Sequence, residues 1–348
     1  MNIDKYLPKK VIGFWEKKLL PYLKDPLLLS RWDSPQSRDK IAGRITAVVN
    51  TGYRQLLSRE DYKVDLYMFW NDMTDFIMPI DSRGHTFSAS LSRKSSRKEK
   101  IIKEAFDRQR AYDLKEAVSE FIEEVGRSLF SHSESFHEIK ITKDSSGNLT
   151  KIEFLDIYPP SIINVFGNYF QLVPWKAARS AATKAGIRMV PNDSILHIVP
   201  PNELGGKRGM RKVLKRLAAL SKIPFPDFHL KSFERNKQTG FDLNKYVEAK
   251  YIEKAQLTKR FGWNQRKYQD NNILEYYSIH RHLEFVYSQT LIREHILKKL
   301  NSVIKKHLGT EIVISGLITT DDIQKEMYAL QEGNLEFNAL YKRTSKYS

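Results

Sequence analysis

Apolar positions recur at the helical period between Ala111 and Leu129, where Leu114, Ala117, Val118, Phe121, Ile122, Val125 and Leu129 form one stripe. An amphipathic helix is predicted there. The period then changes. In "FHEIKITKDSSGNLTKIEFLDIYPP", Phe136, Ile139 and Ile141 precede a Ser-Ser-Gly-Asn turn, and Ile152, Phe154, Leu155 and Ile157 follow it. This pattern predicts a β-hairpin stopped by Pro159 and Pro160. Further short strands are expected in "SIINVFGNYFQLVPW" and "SILHIVPP", with the Ala-rich "WKAARSAATKAG" as a polar or helical excursion between them. The centre of the chain thus reads as a small β-rich unit between helices.

The segment "ILHIVPPNELGGKRGMRKVLKRLAAL" passes from a strand, through two prolines and three glycines, into a basic helix beginning after Gly209. Met210, Val213, Leu214, Leu217 and Leu220 take its apolar face. Lys207, Arg208, Arg211, Lys212, Lys215, Arg216 and Lys222 fall on the rest, with no acid among them. Pro224 and Pro226 bend or end that helix, because each removes a backbone donor. A mixed segment of Lys, Tyr and Gln runs to Asn272. A long helix is predicted from about Ile279 to Leu308, with Lys298, Lys299, Lys305 and Lys306 near the end where cations complement the dipole. "TEIVISGLI" reads as a strand and "TTDDIQKEMYALQEGN" as a capped helix with acids in its first turn and Gly333 beyond its end. The N-terminal hundred residues mix helical pattern with breaks, and "SRKSSRKEK", Ser92 to Lys100, reads as an exposed loop. There is no internal repeat.

Composition narrows the partners more than the fold. With 41% hydrophobic residues, five Trp, 17 Tyr and 18 Phe, the chain of 348 residues has the means to bury a core. No apolar run reaches the roughly 18 to 20 residues that span a bilayer, and "MNIDKYLPKKVIGFWEKK" lacks a signal-peptide pattern, so a soluble, non-secreted protein is expected. The chain has no cysteine, which removes disulfides, thiolate zinc sites and cysteine nucleophiles. The net charge of +17, from 58 Lys and Arg against 41 Asp and Glu, points to an acidic partner, nucleic acid first and anionic membrane second. A basic surface that serves only solubility is the alternative.

No catalytic motif is recognisable in the sequence. In the glycine turn the lysine precedes the last glycine and Met210 stands where a phosphate loop needs a hydroxyl, while Gly205, Gly206 and Gly209 do not supply G-x-G-x-x-G. The glycines read instead as a sharp strand-to-helix turn. His280 and His282 are two apart, so on a helix their rings diverge. His132, His137, His295 and His307 read as ordinary polar histidines. Glu153 and Asp156 sit at an odd offset in a strand and point to opposite faces, and Asp321 and Asp322 cap a helix. No Ser-His-Asp context is recognisable. The expectation is a protein that is not an enzyme, with no catalytic, cofactor-binding or metal-binding residues. For the basic stripe, backbone-phosphate contact stands against plain solvation or pairing with acids on a neighbouring subunit.

The order of these segments resembles the portal, or head-tail connector, proteins of tailed bacteriophages. The resemblance rests on the helix feeding a hairpin with Gly147, Leu155 and Pro159, then a strand with His197 and a glycine-turn helix with Gly209 and Val213. It continues in an apolar strand, Ile312 to Ile318, an Asp-led helix at Asp321 or Asp322, and Gly333. Met210-Arg211 stands where the family has Ser-Pro, and "SHSESFHE" replaces its G-N-x-Y. The resemblance implies an α+β, helix-rich subunit with a β-rich wing, stem helices, a clip insertion and a reduced C-terminal region. Its regions would be 1–205 wing-like, 206–236 first stem helix, 237–273 clip-like, 274–308 second stem or tunnel helix and 309–348 C-terminal. It further implies a structural subunit of a ring, a dodecamer, at one capsid vertex of the virion, assembled in the host cytoplasm, through which DNA is packaged and ejected. Partners would be other copies of the chain, the major capsid protein, the terminase large subunit, neck or adaptor proteins and double-stranded DNA bound non-specifically, with no membrane. Lys207, Arg208, Arg211, Lys212, Lys215 and Arg216 are then candidates to face the channel or the next subunit. Rival readings are a DNA-processing enzyme, nuclease or recombinase, and a basic nucleic-acid-binding adaptor.

Overall fold

The computed structural model describes residues 64–75, 77–78, 87–106, 113–173, 186–220, 243–265 and 275–334. The chain is α+β, mixing helix and sheet. It divides into two compact units, the first holding 89–199 and 296–314 and the second 61–88, 200–295 and 315–348 among their residues.

The first unit is built on the predicted hairpin, β2 (Ser135–Lys143) with β3 (Leu149–Ile157). Gly147 closes its turn at φ 79°, where a side chain is disfavoured, and Asp144 Oδ1 accepts the Ser146 and Asn148 N–H groups at 2.9 and 2.8 Å. A third strand, β7 (Ile195–Ile198), pairs antiparallel with β2, giving the order β3-β2-β7. The register sets Phe136 opposite Ile157 and His137 opposite Asp156. Because neighbours alternate, His137, Ile139 and Ile141 share one face with Asp156, Phe154 and Ile152. That face is covered by α2 (Ser96–Phe106) and α3 (Leu114–His132), whose Phe106 and Phe121 rings meet Phe154 at 5.3 and 5.5 Å. The other face buries Phe136 and Ile157 against Ile162 and Tyr169 of a second sheet, β4 (Ile162–Val165), β5 (Asn168–Val173) and β6 (Gly186–Val190), ordered β4-β5-β6.

Helix α3 matches the predicted stripe. Asp113 caps it by accepting the Glu116 N–H at 2.7 Å, and Ser133 ends it in the left-handed conformation. "SRKSSRKEK" corrects the sequence reading, because from Ser96 onward it is the first turn of α2 and not a loop. Charge frequency alone suggested exposure, but Ile101, Ile102 and Phe106, one turn further on, bury against the hairpin and carry the basic residues into the helix. The Ala-rich 175–185 and the prolines of 223–228 lie outside the described residues.

The second unit packs helices on one another. The two-stranded pair of β1 (Ser88–Leu91) with β8 (Ile312–Ser315) belongs for the most part to the first unit. Helix α1 (Val64–Asp75) supplies Phe69, whose ring meets Phe261 and Trp263 edge-on, each at 5.3 Å. Asp72 accepts the Trp263 Nε1–H at 2.8 Å, and Asp65 pairs with Lys250 and Lys254 at 3.1 and 2.5 Å. Those lysines belong to α5 (Leu243–Leu257). The described part of the 237–273 stretch, expected as clip-like, is therefore tied into this unit by Phe261 and Trp263, both essentially inaccessible. Gly262 makes that possible: at φ 61°, a Cβ there would stand 2.2 Å from the Phe285 nitrogen and 2.4 Å from the Arg281 carbonyl.

The long helix α6 runs Glu275–Leu308, starting slightly before the predicted position. Within the second unit its Ile279, Leu283 and Val286 bury Ile323 and Leu330 of α7 (Thr320–Gln331). Thr319 and Asp322 form a reciprocal capping box on α7, so of the two acids expected to cap it Asp322 does, while Asp321 stands in the first turn outside the box. Within the first unit, Asn301 of α6 donates to the Ile312 carbonyl and accepts its N–H, each at 2.8 Å, clamping β8.

Candidate nucleic-acid interface

The basic helix α4 (Gly206–Leu220) follows a single-turn 3-10 segment, Asn202–Leu204. Gly205 and Gly206 have φ of 92° and 59°, the left-handed region where a side chain is disfavoured. Their N–H groups are used internally: Gly205 donates to Asn202 and Gly206 to Pro201, at 2.8 and 3.0 Å. These donors point back into the turn, so the junction is a chain reversal, not an anion cradle.

The helix begins at Gly206, four residues before the predicted start, because the Gly209 N–H already bonds the Gly205 carbonyl at 2.9 Å. Lys207 and Arg208 consequently stand in its first turn. That turn carries no acid, and the last turn carries no base. Cations at a helix N-terminus oppose the macrodipole, at roughly 0.3 to 1 kcal/mol each. The charge of α4 is thus arranged against the helix's own electrostatic preference.

Met210, Leu214 and Leu217 bury at i, i+4 and i+7, with α4 packed on α1 and α5. This forces the polar positions outward. Arg208, Arg211, Lys212, Lys215 and Arg216 are all exposed and Lys207 is half-buried. From Arg208 to Arg216 the stripe extends along roughly 12 Å of helix axis. Among the described residues, none of Arg208, Lys212, Lys215 and Arg216 pairs with an acid. A cation stripe held this way offers long, flexible donors to a polyanion backbone, with no device to read bases.

The structure adds a residue that the sequence reading missed. Arg260 is exposed, and its Nη1 lies 2.9 Å from where a Cβ on Gly205 would be, so a further guanidinium stands against the start of α4. Nothing local to Arg260 signals this, since it comes from a distant part of the sequence. The lysines at the end of α6 behave differently. Lys305 pairs with Glu311 at 2.8 Å and Lys306 lies 3.7 Å from Asp193, as expected of charges that serve the helix end.

The remaining polar candidates have local explanations. His197 lies between Glu134, at 3.3 Å from Nε2, and the Tyr169 hydroxyl, at 3.2 Å from Nδ1, and stacks on Phe136. His280 pairs with Glu284 at 3.8 Å. Burial lowers the pKa of His132 and of His282 to about 4, so both are neutral near pH 7. Glu153 meets Lys151 and Lys140 at 3.0 and 4.0 Å. Among the described residues no helix is long and apolar enough to cross a membrane. No protein-family model matches the chain, and no curated protein matches it either.

Proposed function

We propose that this chain is a portal-type structural subunit that assembles into a ring, conducts double-stranded DNA non-specifically, and uses the exposed face of α4 against the phosphate backbone. The observation that carries the reading is the charge of α4. The helix has basic residues from its first turn onward and no acid there, on the face opposite Met210, Leu214 and Leu217. Arg208 in that first turn and Lys212, Lys215 and Arg216 beyond it pair with no acid among the described residues, and a polyanion would give them a partner.

The order of elements supports the same reading. A capped helix, a glycine-turned hairpin, a second small sheet, a closing strand and a glycine turn into a basic helix follow one another as the resemblance implies. Phe166, wholly exposed beside Gly167 at the β4–β5 turn, is an apolar group suited to burial between subunits. On this reading the ring is a dodecamer at a capsid vertex of the virion. It meets the major capsid protein, the terminase large subunit and neck proteins, and it performs no chemistry of its own.

Negative-stain imaging of the purified chain tests the proposal, with closed rings around a central hole as the expected result. Arg211→Glu combined with Lys215→Glu is expected to leave the rings intact and abolish DNA retention. Monomers that cleave DNA in the presence of magnesium would overturn the reading in favour of a nuclease. Loss of the rings in the double variant would assign the stripe to the subunit interface.

A further inference from the structure

The face of the β2–β3 hairpin beneath α2 and α3 is apolar along most of its length, with Ile139, Ile141, Ile152 and Phe154. At one end it carries charge instead. His137 on β2 and Asp156 on β3 are direct cross-strand partners, 1% and 7% exposed. Phe121 of α3 lies on the His137 ring at 5.0 Å, and one turn later the same helix brings Glu124. One donor atom from each of Glu124, His137 and Asp156 lies within 4.8 Å of the other two.

We propose that Glu124, His137 and Asp156 form a binding site for one divalent first-row ion of the zinc or manganese class, which fastens α3 to the hairpin. Three arguments converge on it. The donor set is one imidazole nitrogen and two carboxylate oxygens, suited to ions of intermediate hardness and short of the four thiolates or the oxygen cage that would select otherwise. Two carboxylates beside an imidazole, with one donor atom of each converging within 4.8 Å, offer a divalent cation ligands of complementary charge from three directions. Finally, the donors come from three successive elements, α3, β2 and β3. Cross-strand pairing presets two of them, and the half-exposed Glu124 provides a route in from solvent. With three protein ligands, water completes the coordination. The ion's role is structural, since the site lies under a helix and away from the α4 stripe in sequence. The inference is independent of the proposed function.

The test uses the full chain with no polyhistidine tag, stripped with chelator and dialysed, then titrated calorimetrically with Zn²⁺ and, separately, Mn²⁺. One ion per chain is expected for at least one of the two metals, with a rise in the unfolding temperature on binding. Glu124→Gln and Asp156→Asn should each weaken binding at least tenfold, and Glu153→Gln, on the opposite face of the same strand, should leave it unchanged. Glu124 is at the rim of the site, so its variant is the one expected to retain native circular dichroism if Asp156→Asn does not. Absence of one-to-one binding of either ion would overturn the proposal, as would binding that survives both substitutions.

Discussion

Replacing Lys212 and Arg216 with alanine tests the α4 stripe with the least structural disturbance. Both are exposed, one helical turn apart, and alanine is the best helix former, so the fold should not suffer. Four exposed cations, Arg208, Lys212, Lys215 and Arg216, pair with no acid among the described residues and are free to meet phosphates. If each neutralises one phosphate, the logarithm of the DNA association constant falls with the logarithm of salt at a slope of about −3.6 for one engaged subunit. Between 50 and 200 mM salt that amounts to a loss of about 150-fold in affinity. The double variant keeps two of the four contacts, the slope halves, and the same salt change costs about 12-fold. Halving is expected however many subunits of a ring engage the duplex, because every subunit loses the same fraction. Fluorescence anisotropy of a labelled 30-base-pair duplex, titrated at several salt concentrations, measures the slope directly. An unchanged slope in the variant, with wild-type assembly by light scattering, would refute the assignment of this face to DNA.

Gly262→Ala should destabilise the protein by more than about 3 kcal/mol in chemical denaturation, because the new methyl group would collide with backbone atoms of α6 that have no room to move. Gly147→Ala has the same left-handed strain with nothing within 4 Å of the added Cβ, so its cost should stay near 1 to 2 kcal/mol, separating strain from collision. Thr319→Ala removes the α7 cap and should cost about 1 kcal/mol. Hydrogen bonds from Thr319 hold the Asp322 carboxyl below the usual range, so their stabilisation is present above the unfolded carboxylate pKa and lost as pH falls through the folded one; in Thr319→Ala that acid limb should flatten. His132 is held neutral down to about pH 4 by burial, while in the unfolded chain it takes up a proton near pH 6.5. The stability present above pH 6.5 should therefore fall as pH drops toward 4, and urea midpoints for His132→Gln should show a shallower decline.

What could be read from the sequence was whatever depends on neighbours within one or two turns of chain. The α3 stripe, the glycine-turned hairpin, the Thr319–Asp322 cap and the apolar face of α4 are all local, and each appears where periodicity or capping chemistry puts it. The misses come from contacts between distant segments. Ser92 to Lys100 reads as a loop because the three residues that draw its second half into a helix, Ile101, Ile102 and Phe106, are fixed by a hairpin that begins some thirty positions later. His137 reads as ordinary because nothing in "SFHEIK" reveals the register that sets it opposite Asp156, and along its own strand Asp156 has only Glu153, on the other face, for an acidic neighbour. Arg260 was unremarkable until the turn at Phe261 brought it to Gly205.

The same contrast separates the basic residues into two groups. Lys and Arg are spread along the whole chain, and net charge cannot distinguish one cluster from another. Position relative to a helix axis can. At the end of α6 the lysines lie where the dipole favours them and reach Glu311 and Asp193, so the fold itself accounts for their presence. On α4 the cations start in the first turn, where the dipole disfavours them, and continue without an acid at helical spacing. Removing Arg208, Lys212, Lys215 and Arg216, which pair with no acid among the described residues, should leave the helix as stable or more so. A group whose loss does not weaken the fold is retained for something outside it, and a surface of closely spaced cations with no base-reading geometry fits a partner whose charge repeats along its length.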